Sequence, residues 1–69
     1  MKIIGIDPGL VQTGFGIIYV KDNELSLLDY GIIRPAPKDS LSKRLLTIYN
    51  DVCEIASNYN PHVFAIEEV

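Results

Sequence analysis

The chain has 69 residues, of which 48% are hydrophobic and 22% are charged, which is typical of a globular domain and not of a disordered segment. A chain of about 60 residues buries only about 60% of its unfolded surface, so we expect one small domain with a modest core. The net charge of −3 and the pI of about 4.8 do not favour direct nucleic-acid binding, because phosphate contacts need clustered Lys and Arg. No apolar run is long enough for a membrane span or a signal-peptide core, which predicts a cytoplasmic protein.

The first apolar run, residues 3–6, ends at Asp7 and is followed by Pro8 and Gly9. A continuous apolar run bounded by turn residues predicts a strand that is buried on both faces. Ligands of open α/β sheets bind beyond the carboxyl ends of such strands, so Asp7 is a candidate site residue. The same residues also fit an ordinary turn, in which Asp caps local backbone donors, Pro presets φ and Gly permits a positive φ.

A second apolar run, residues 63–66, ends in the same way at Glu67. If the two strands are parallel neighbours about 4.8 Å apart, the carboxylates repel each other unless one is protonated or a cation lies between them. Taken by itself, Glu67 could also be simply the first solvent-exposed residue after a strand, without a role in a site. Two acidic residues at matching ends of two buried strands nevertheless predict a site for a hard divalent metal, with Asp7 and Glu67 as its ligands.

Residues 13–20 and 25–33 are predicted strands, joined by a hairpin turn at residues 21–24. Together with the first strand they form an antiparallel succession. Gly14 and Gly16 share one face of the second strand, because side chains alternate along a strand. Glycines in a strand mark a bulge or a close approach by another group, either a helix or a nucleic-acid backbone, and packing is the preferred explanation.

Residues 34–37 break the sheet, and Asp39 or Ser40 can then cap a helix that ends near Asn60 and Pro61. The apolar positions of this helix recur with helical spacing and predict one core face: Leu41, Leu45, Ile48, Val52, Ala56 and Tyr59. The connection is long enough for a crossover, so the last strand can lie parallel to the first, which is the most apolar and hence central. Both acidic residues then end at the same edge of the sheet.

Three segments of the chain carry a resemblance to a known family. Residues 4–10 have the sequence IGIDPGL, residues 13–18 have TGFGII and residues 64–69 have FAIEEV. Together they resemble the amino-terminal part of the RuvC family of Holliday-junction resolvases, and the resemblance covers the whole chain. The IGIDPG-type opening is shared loosely with other ribonuclease-H-like and actin-like proteins, but its combination with TGFG and AIEEV is much more specific.

The resemblance implies an α/β, ribonuclease-H-like fold with a mixed sheet. Residues 1–69 are expected to be the amino-terminal part of such a nuclease domain, truncated to three antiparallel strands, one helix and a fourth strand parallel to the first. The implied activity is that of a Mg²⁺-dependent endonuclease, with Mn²⁺ as a substitute ion, that cuts four-way DNA junctions in recombination and repair. The implied partners are junction DNA, a second copy in a homodimer, and the RuvA and RuvB branch-migration proteins.

Carried over from the family, Asp7 and Glu67 match the first two catalytic carboxylates. Asp7 would bridge two metal ions, and Glu67 would bind one of them and help to orient the attacking water. Glu68 matches neither, because alternation points it to the opposite face. The resemblance also implies two further acidic ligands on a late helix, beyond the end of this sequence, so the chain by itself is expected to be an incomplete and inactive enzyme.

An actin-like or sugar-kinase-like domain that binds nucleotide phosphates is the alternative from another class. Such a domain also opens with an apolar strand, an Asp and a turn that donates backbone N–H groups to phosphate. Pro8 has no N–H, the turn has no run of Gly, Ser and Thr, and Glu67 has no evident role in this alternative. A non-catalytic partner or fragment is the third interpretation.

Overall fold

The computed structural model describes residues 1–67, so the predicted direction of Glu68 lies outside the described residues. The elements follow in chain order, each beginning and ending within one residue of its prediction: β1 Lys2–Asp7, β2 Thr13–Lys21, β3 Glu24–Ile33, α1 Leu41–Tyr59 and β4 Val63–Ile66. These bounds place Asp7 at the end of β1, and Glu67 directly after β4.

The four strands form one mixed sheet with the order β3-β2-β1-β4. β2 is antiparallel to both β1 and β3, whereas β4 is parallel to β1. This topology confirms the predicted fold class, with the most apolar strand inside the sheet. The β2–β3 turn contains Asp22 and Asn23 with φ of 51° and 65°, a left-handed pair that matches the twist of a two-residue hairpin.

The ends of α1 are fixed by side-chain and backbone caps. The Ser40 hydroxyl accepts a hydrogen bond of 3.3 Å from the backbone N–H of Lys43. At the other end Asn60 has a φ of 49°, and its N–H donates to the carbonyl oxygen of Ala56 at 2.8 Å, just before Pro61. Both ends agree with the prediction, and the second sets where β4 begins.

The core lies between α1 and one face of the sheet. Its centre is the buried cluster of Ile4, Ile6 and Ile17. The side chains that pack against this cluster are half-buried: Phe15, Val52, Ile55 and Tyr59. All of the α1 side chains that pack against this core cluster therefore come from the second half of the helix.

The first half of α1 does not reach this core. Leu41 and Leu45 are 54% and 49% exposed, so their assignment to the core face is wrong. A helix of 19 residues is about 28 Å long and a strand of six residues about 20 Å, so α1 extends past β1. Its early turns lie beside the β1–β2 loop, where Leu45 and Ile48 line a shallow apolar cleft with Pro8. No helix in residues 1–67 is both long and apolar enough to span a membrane.

A side-chain hydrogen bond joins the end of α1 to the edge strand β3. The Tyr59 hydroxyl donates to Oδ2 of Asp29 at 2.7 Å, and Oδ1 of the same carboxylate accepts from the N–H of Tyr30 at 2.8 Å. The hydrogen bond to Asp29 is the main reason why the pKa of Tyr59 is raised, with desolvation and the negative charge of Asp29 as smaller causes.

Replacing Tyr59 by Phe should lower the midpoint of urea unfolding. The folded-state pKa of Tyr59 lies above the ordinary value of 10.0, so its stabilisation is fully present below pH 10 and is lost as pH rises through the folded-state pKa. The gap between wild type and variant should therefore stay constant below the ordinary value of 10.0 and shrink as the pH rises above it. Tyr49→Phe is the control, since Tyr49 is 66% exposed on the same helix. An equal effect of both variants would contradict the role of Asp29.

Candidate metal site at the carboxyl ends of β1 and β4

Asp7 and Glu67 lie side by side at one edge of the sheet. Ile6 pairs with Ile66, and the N–H of Glu67 donates to the carbonyl oxygen of Ile6 at 2.9 Å. Each acidic residue follows one member of this pair, so both lie on the same sheet face, on strands about 4.8 Å apart. Both are exposed, and both line one cleft of about 440 Å³. The structure thus brings the two predicted residues together.

The cleft has a floor of small residues, which lie on the sheet face opposite α1: Gly5, Gly14, Gly16 and Ala65. Strand pairing sets Gly5 between Gly16 and Ala65, and sets Asp7 beside Gly14. The absence of large side chains leaves open space next to both carboxylates. A ligand as large as a phosphate group can therefore approach them from this face.

The glycines of β2 are not explained by packing within residues 1–67. A Cβ added at Gly16 would meet no atom within 4 Å, and the nearest atom to one at Gly14 is the Cβ of Asp7 at 3.9 Å. The bulge lies elsewhere, since the register shifts after the pair Ile17 and Asp29. The preferred packing explanation is wrong for the described residues, because α1 covers the opposite face of the sheet.

The loop after Asp7 is closed by Thr13, a residue that the sequence did not single out. Thr13 is 1% exposed, and its hydroxyl donates to the carbonyl oxygen of Gly9 at 2.9 Å and accepts from the Gly9 N–H at 3.2 Å. Gly9 does not have a positive φ; instead, an added Cβ would overlap the carbonyl oxygen of Gln12. The turn interpretation is therefore wrong about φ at Gly9, and these hydrogen bonds come from Thr13 and not from Asp7.

Gly9→Ala should destabilise the fold by about 1–3 kcal/mol, the usual cost of forcing extra atoms into a filled space. Gly16→Ala is the matched control, because its Cβ meets no neighbour, and it should be neutral or stabilising by up to about 1 kcal/mol. Urea unfolding of both variants measures the difference. Equal losses at the two positions would show that the loop is free to move away.

The donor set fits a single hard cation. Mg²⁺ is usually bound through one or two carboxylates, together with waters and substrate phosphates. Asp7 and Glu67 provide two such carboxylates beside open space. Across residues 1–67 there is no group of three or more His, Cys, Asp or Glu side chains that could hold a metal ion. Additional protein ligands for a second ion therefore do not come from the described part of the chain.

Comparison with known proteins identifies the family. The family model described as "Crossover junction endodeoxyribonuclease RuvC" matches residues 3–69. The chain is 46% identical over 70 residues to the protein of that name from Caldicellulosiruptor saccharolyticus, and 45% identical over 69 residues to that from Cupriavidus metallidurans. Both alignments cover 100% of this chain. The chain belongs to the RuvC family.

The solved structures agree with this assignment. Thermus thermophilus RuvC in complex with Holliday junction substrate aligns with a TM-score of 0.90 and 30% identity, over 99% of this chain and 42% of that chain. The match confirms the ribonuclease-H-like fold. The chain spans only part of its curated relatives, 42% of the Caldicellulosiruptor protein and 38% of the Cupriavidus protein.

Proposed function

We propose that this chain is the amino-terminal part of a ribonuclease-H-like nuclease domain, and that the full-length protein is a metal-dependent endonuclease that cuts four-way DNA junctions. The observation that carries the proposal is the adjacency of Asp7 and Glu67 at an open cleft, in a chain of the RuvC family. The structure of the Thermus relative in complex with Holliday junction substrate supports junction DNA as the substrate class.

The two carboxylates take the roles that the family resemblance implies. Asp7, at the end of the interior strand β1, would be a ligand for the metal ions. Glu67, directly after the edge strand β4, would be a ligand for one ion and would orient the attacking water. When bound, Mg²⁺ or Mn²⁺ supplies a more acidic water and neutralises charge on the phosphate.

The residues around Asp7 and Glu67 determine how a phosphodiester approaches the two carboxylates and how the adjacent loop is held. The glycine and alanine floor lets a phosphodiester approach the carboxylates, and the Thr13–Gly9 hydrogen bonds hold the loop next to Asp7. The net charge of −3 repels phosphate, so bound cations at Asp7 and Glu67 also reduce the repulsion between this segment and DNA. A homodimer and the RuvA and RuvB partners belong to this proposal through the family.

The nucleotide-phosphate alternative is not favoured by the loop geometry. A phosphate-binding turn needs free backbone N–H groups. Pro8 has none, and the N–H of Gly9 donates to the Thr13 hydroxyl at 3.2 Å. The first two residues after Asp7 therefore offer no free donor to a phosphate.

The proposal is tested with the full-length gene product and a synthetic four-way junction. We expect paired nicks in the junction with Mg²⁺ or Mn²⁺, no cutting in EDTA, and much weaker cutting of a linear duplex with the same sequences. Equal cutting of junction and duplex, or cutting in EDTA, would contradict the proposal. Binding of ATP without any junction cleavage would support the nucleotide-phosphate alternative.

A further inference from the structure

Arg34 directly follows β3, at the end of the sheet that carries Asp7. Asp7 pairs with Gly14, and Gly14 pairs with Ile32, so these residues form one row across three strands. Arg34 is two residues beyond Ile32, and alternation places it on the same face as Asp7. With strands about 4.8 Å apart and a rise of about 3.3 Å per residue, the Cα atoms of Arg34 and Asp7 are about 12 Å apart.

The Arg34 side chain is held on this face by Gln12. The Nε group of Arg34 donates to Oε1 of Gln12 at 3.4 Å, and both side chains are exposed. The buried side chain of Thr13 lies on the face that α1 covers. Gln12 is the preceding residue, so alternation places it on the opposite face, beside Arg34. Because this bond uses Nε, it does not consume the two Nη groups, which are suited to bidentate phosphate contacts.

Arg34 lies outside the cleft, at a distance from Asp7 that a DNA strand can span. Successive phosphates of one strand rise by about 3.4 Å along the helix axis. A strand that has one phosphate at Asp7 and Glu67 and runs towards β3 would bring another phosphate within reach of Arg34, whose Cα is about 12 Å from that of Asp7. Arg34 is a positive group near two carboxylates in a chain with a net charge of −3.

We propose that Arg34, positioned by Gln12, binds a backbone phosphate of the DNA strand near the phosphodiester that is cut. This inference rests on the proposed function and adds a residue that positions the substrate. Arg34 lies too far from the carboxylates to touch the reacting atoms, and a phosphate contact sets register and affinity without reading sequence. Gln12 acts only through Arg34.

The test is the salt dependence of junction binding by the full-length gene product in EDTA. Arg34→Gln should reduce the slope of log K against log salt by about one, because one fewer phosphate is neutralised. Arg34→Lys should keep the slope but bind more weakly. Arg44→Gln removes the same charge from α1, on the opposite sheet face, where its Nε donates to the Asp39 carbonyl oxygen at 3.1 Å, and should keep the wild-type slope.

A steady-state assay with Mg²⁺ separates positioning from chemistry. For Arg34→Gln we expect a higher KM with a smaller change in kcat, and Gln12→Ala should weaken binding without changing the salt slope. A wild-type slope for Arg34→Gln, or an equal decrease for Arg44→Gln, would overturn the role of Arg34 while the proposed function still stands. Failure of the wild-type protein to bind and cut junctions would overturn the proposed function itself.

Discussion

Asp7→Asn or Glu67→Gln should reduce junction cleavage by the full-length gene product more than about 100-fold, while junction binding persists. Loss of an outer-shell partner of a metal ligand typically costs about 10–100-fold, and loss of the ligand itself should exceed this. Each substitution keeps the size and shape of the side chain and removes the negative charge that a hard cation needs. Single-turnover cleavage in Mg²⁺ and gel-shift binding in EDTA measure the two quantities separately.

Glu54→Gln is the control for this pair of variants. It makes the same chemical change at an exposed position of α1, and we expect wild-type cleavage from it. Retained cleavage by Asp7→Asn or by Glu67→Gln would refute the metal-ligand role of that residue. Loss of both cleavage and binding would instead point to a folding defect, which the urea-unfolding midpoint of the same variant would reveal.

The 69-residue chain expressed by itself should self-associate and should not cut junctions. The sheet face opposite α1 carries large apolar side chains that are 41% to 73% exposed: Leu25, Leu27, Tyr30, Ile32 and Val63. An apolar patch of this kind, between two open strand edges, favours association. Two carboxylates hold Mg²⁺ only weakly without further ligands, so catalysis should fail independently of folding. Sedimentation velocity and a junction-cleavage assay measure both outcomes.

A matched pair of variants locates the associating surface. Leu27→Thr combined with Ile32→Thr removes apolar area from the open face and should shift the chain towards monomer. Leu46→Thr changes an α1 side chain that is 58% exposed, and it should leave the association unchanged. A stable wild-type monomer that nicks junctions as fast as a full-length relative would refute the prediction, and would mean that other residues of this chain complete the site.

The local structure was predictable because each element has its own signal. Apolar runs that stop at turn residues defined β1 and β4, and Ser40 and Asn60 marked the ends of α1. The length of the crossover connection then implied the parallel pairing of β1 with β4, and this pairing placed Asp7 beside Glu67. Their roles as metal ligands stay a prediction, which the variants above test.

Other features depend on distances that no local pattern contains. Helical periodicity identifies the apolar face of α1 but not where the sheet beneath it ends, so it places Leu41 in the core and leaves Ile55 out. The sequence does not distinguish a glycine that avoids a steric clash, such as Gly9, from a glycine that lies beside open space, such as Gly16. The buried hydroxyl of Thr13 became evident only from its contacts with the loop.

The parallel pairing of β1 with β4 has a consequence for the order of folding. β1, β2 and β3 pair with neighbours that are adjacent in sequence. The pairing of β1 with β4, in contrast, brings Ile3 next to Val63 near the other end of the sequence. Contacts between residues far apart in sequence carry a larger loop-closure entropy and form slowly. Asp7 and Glu67 therefore meet only when β4 docks, so a cation that needs both carboxylates recognises the finished sheet and none of its precursors.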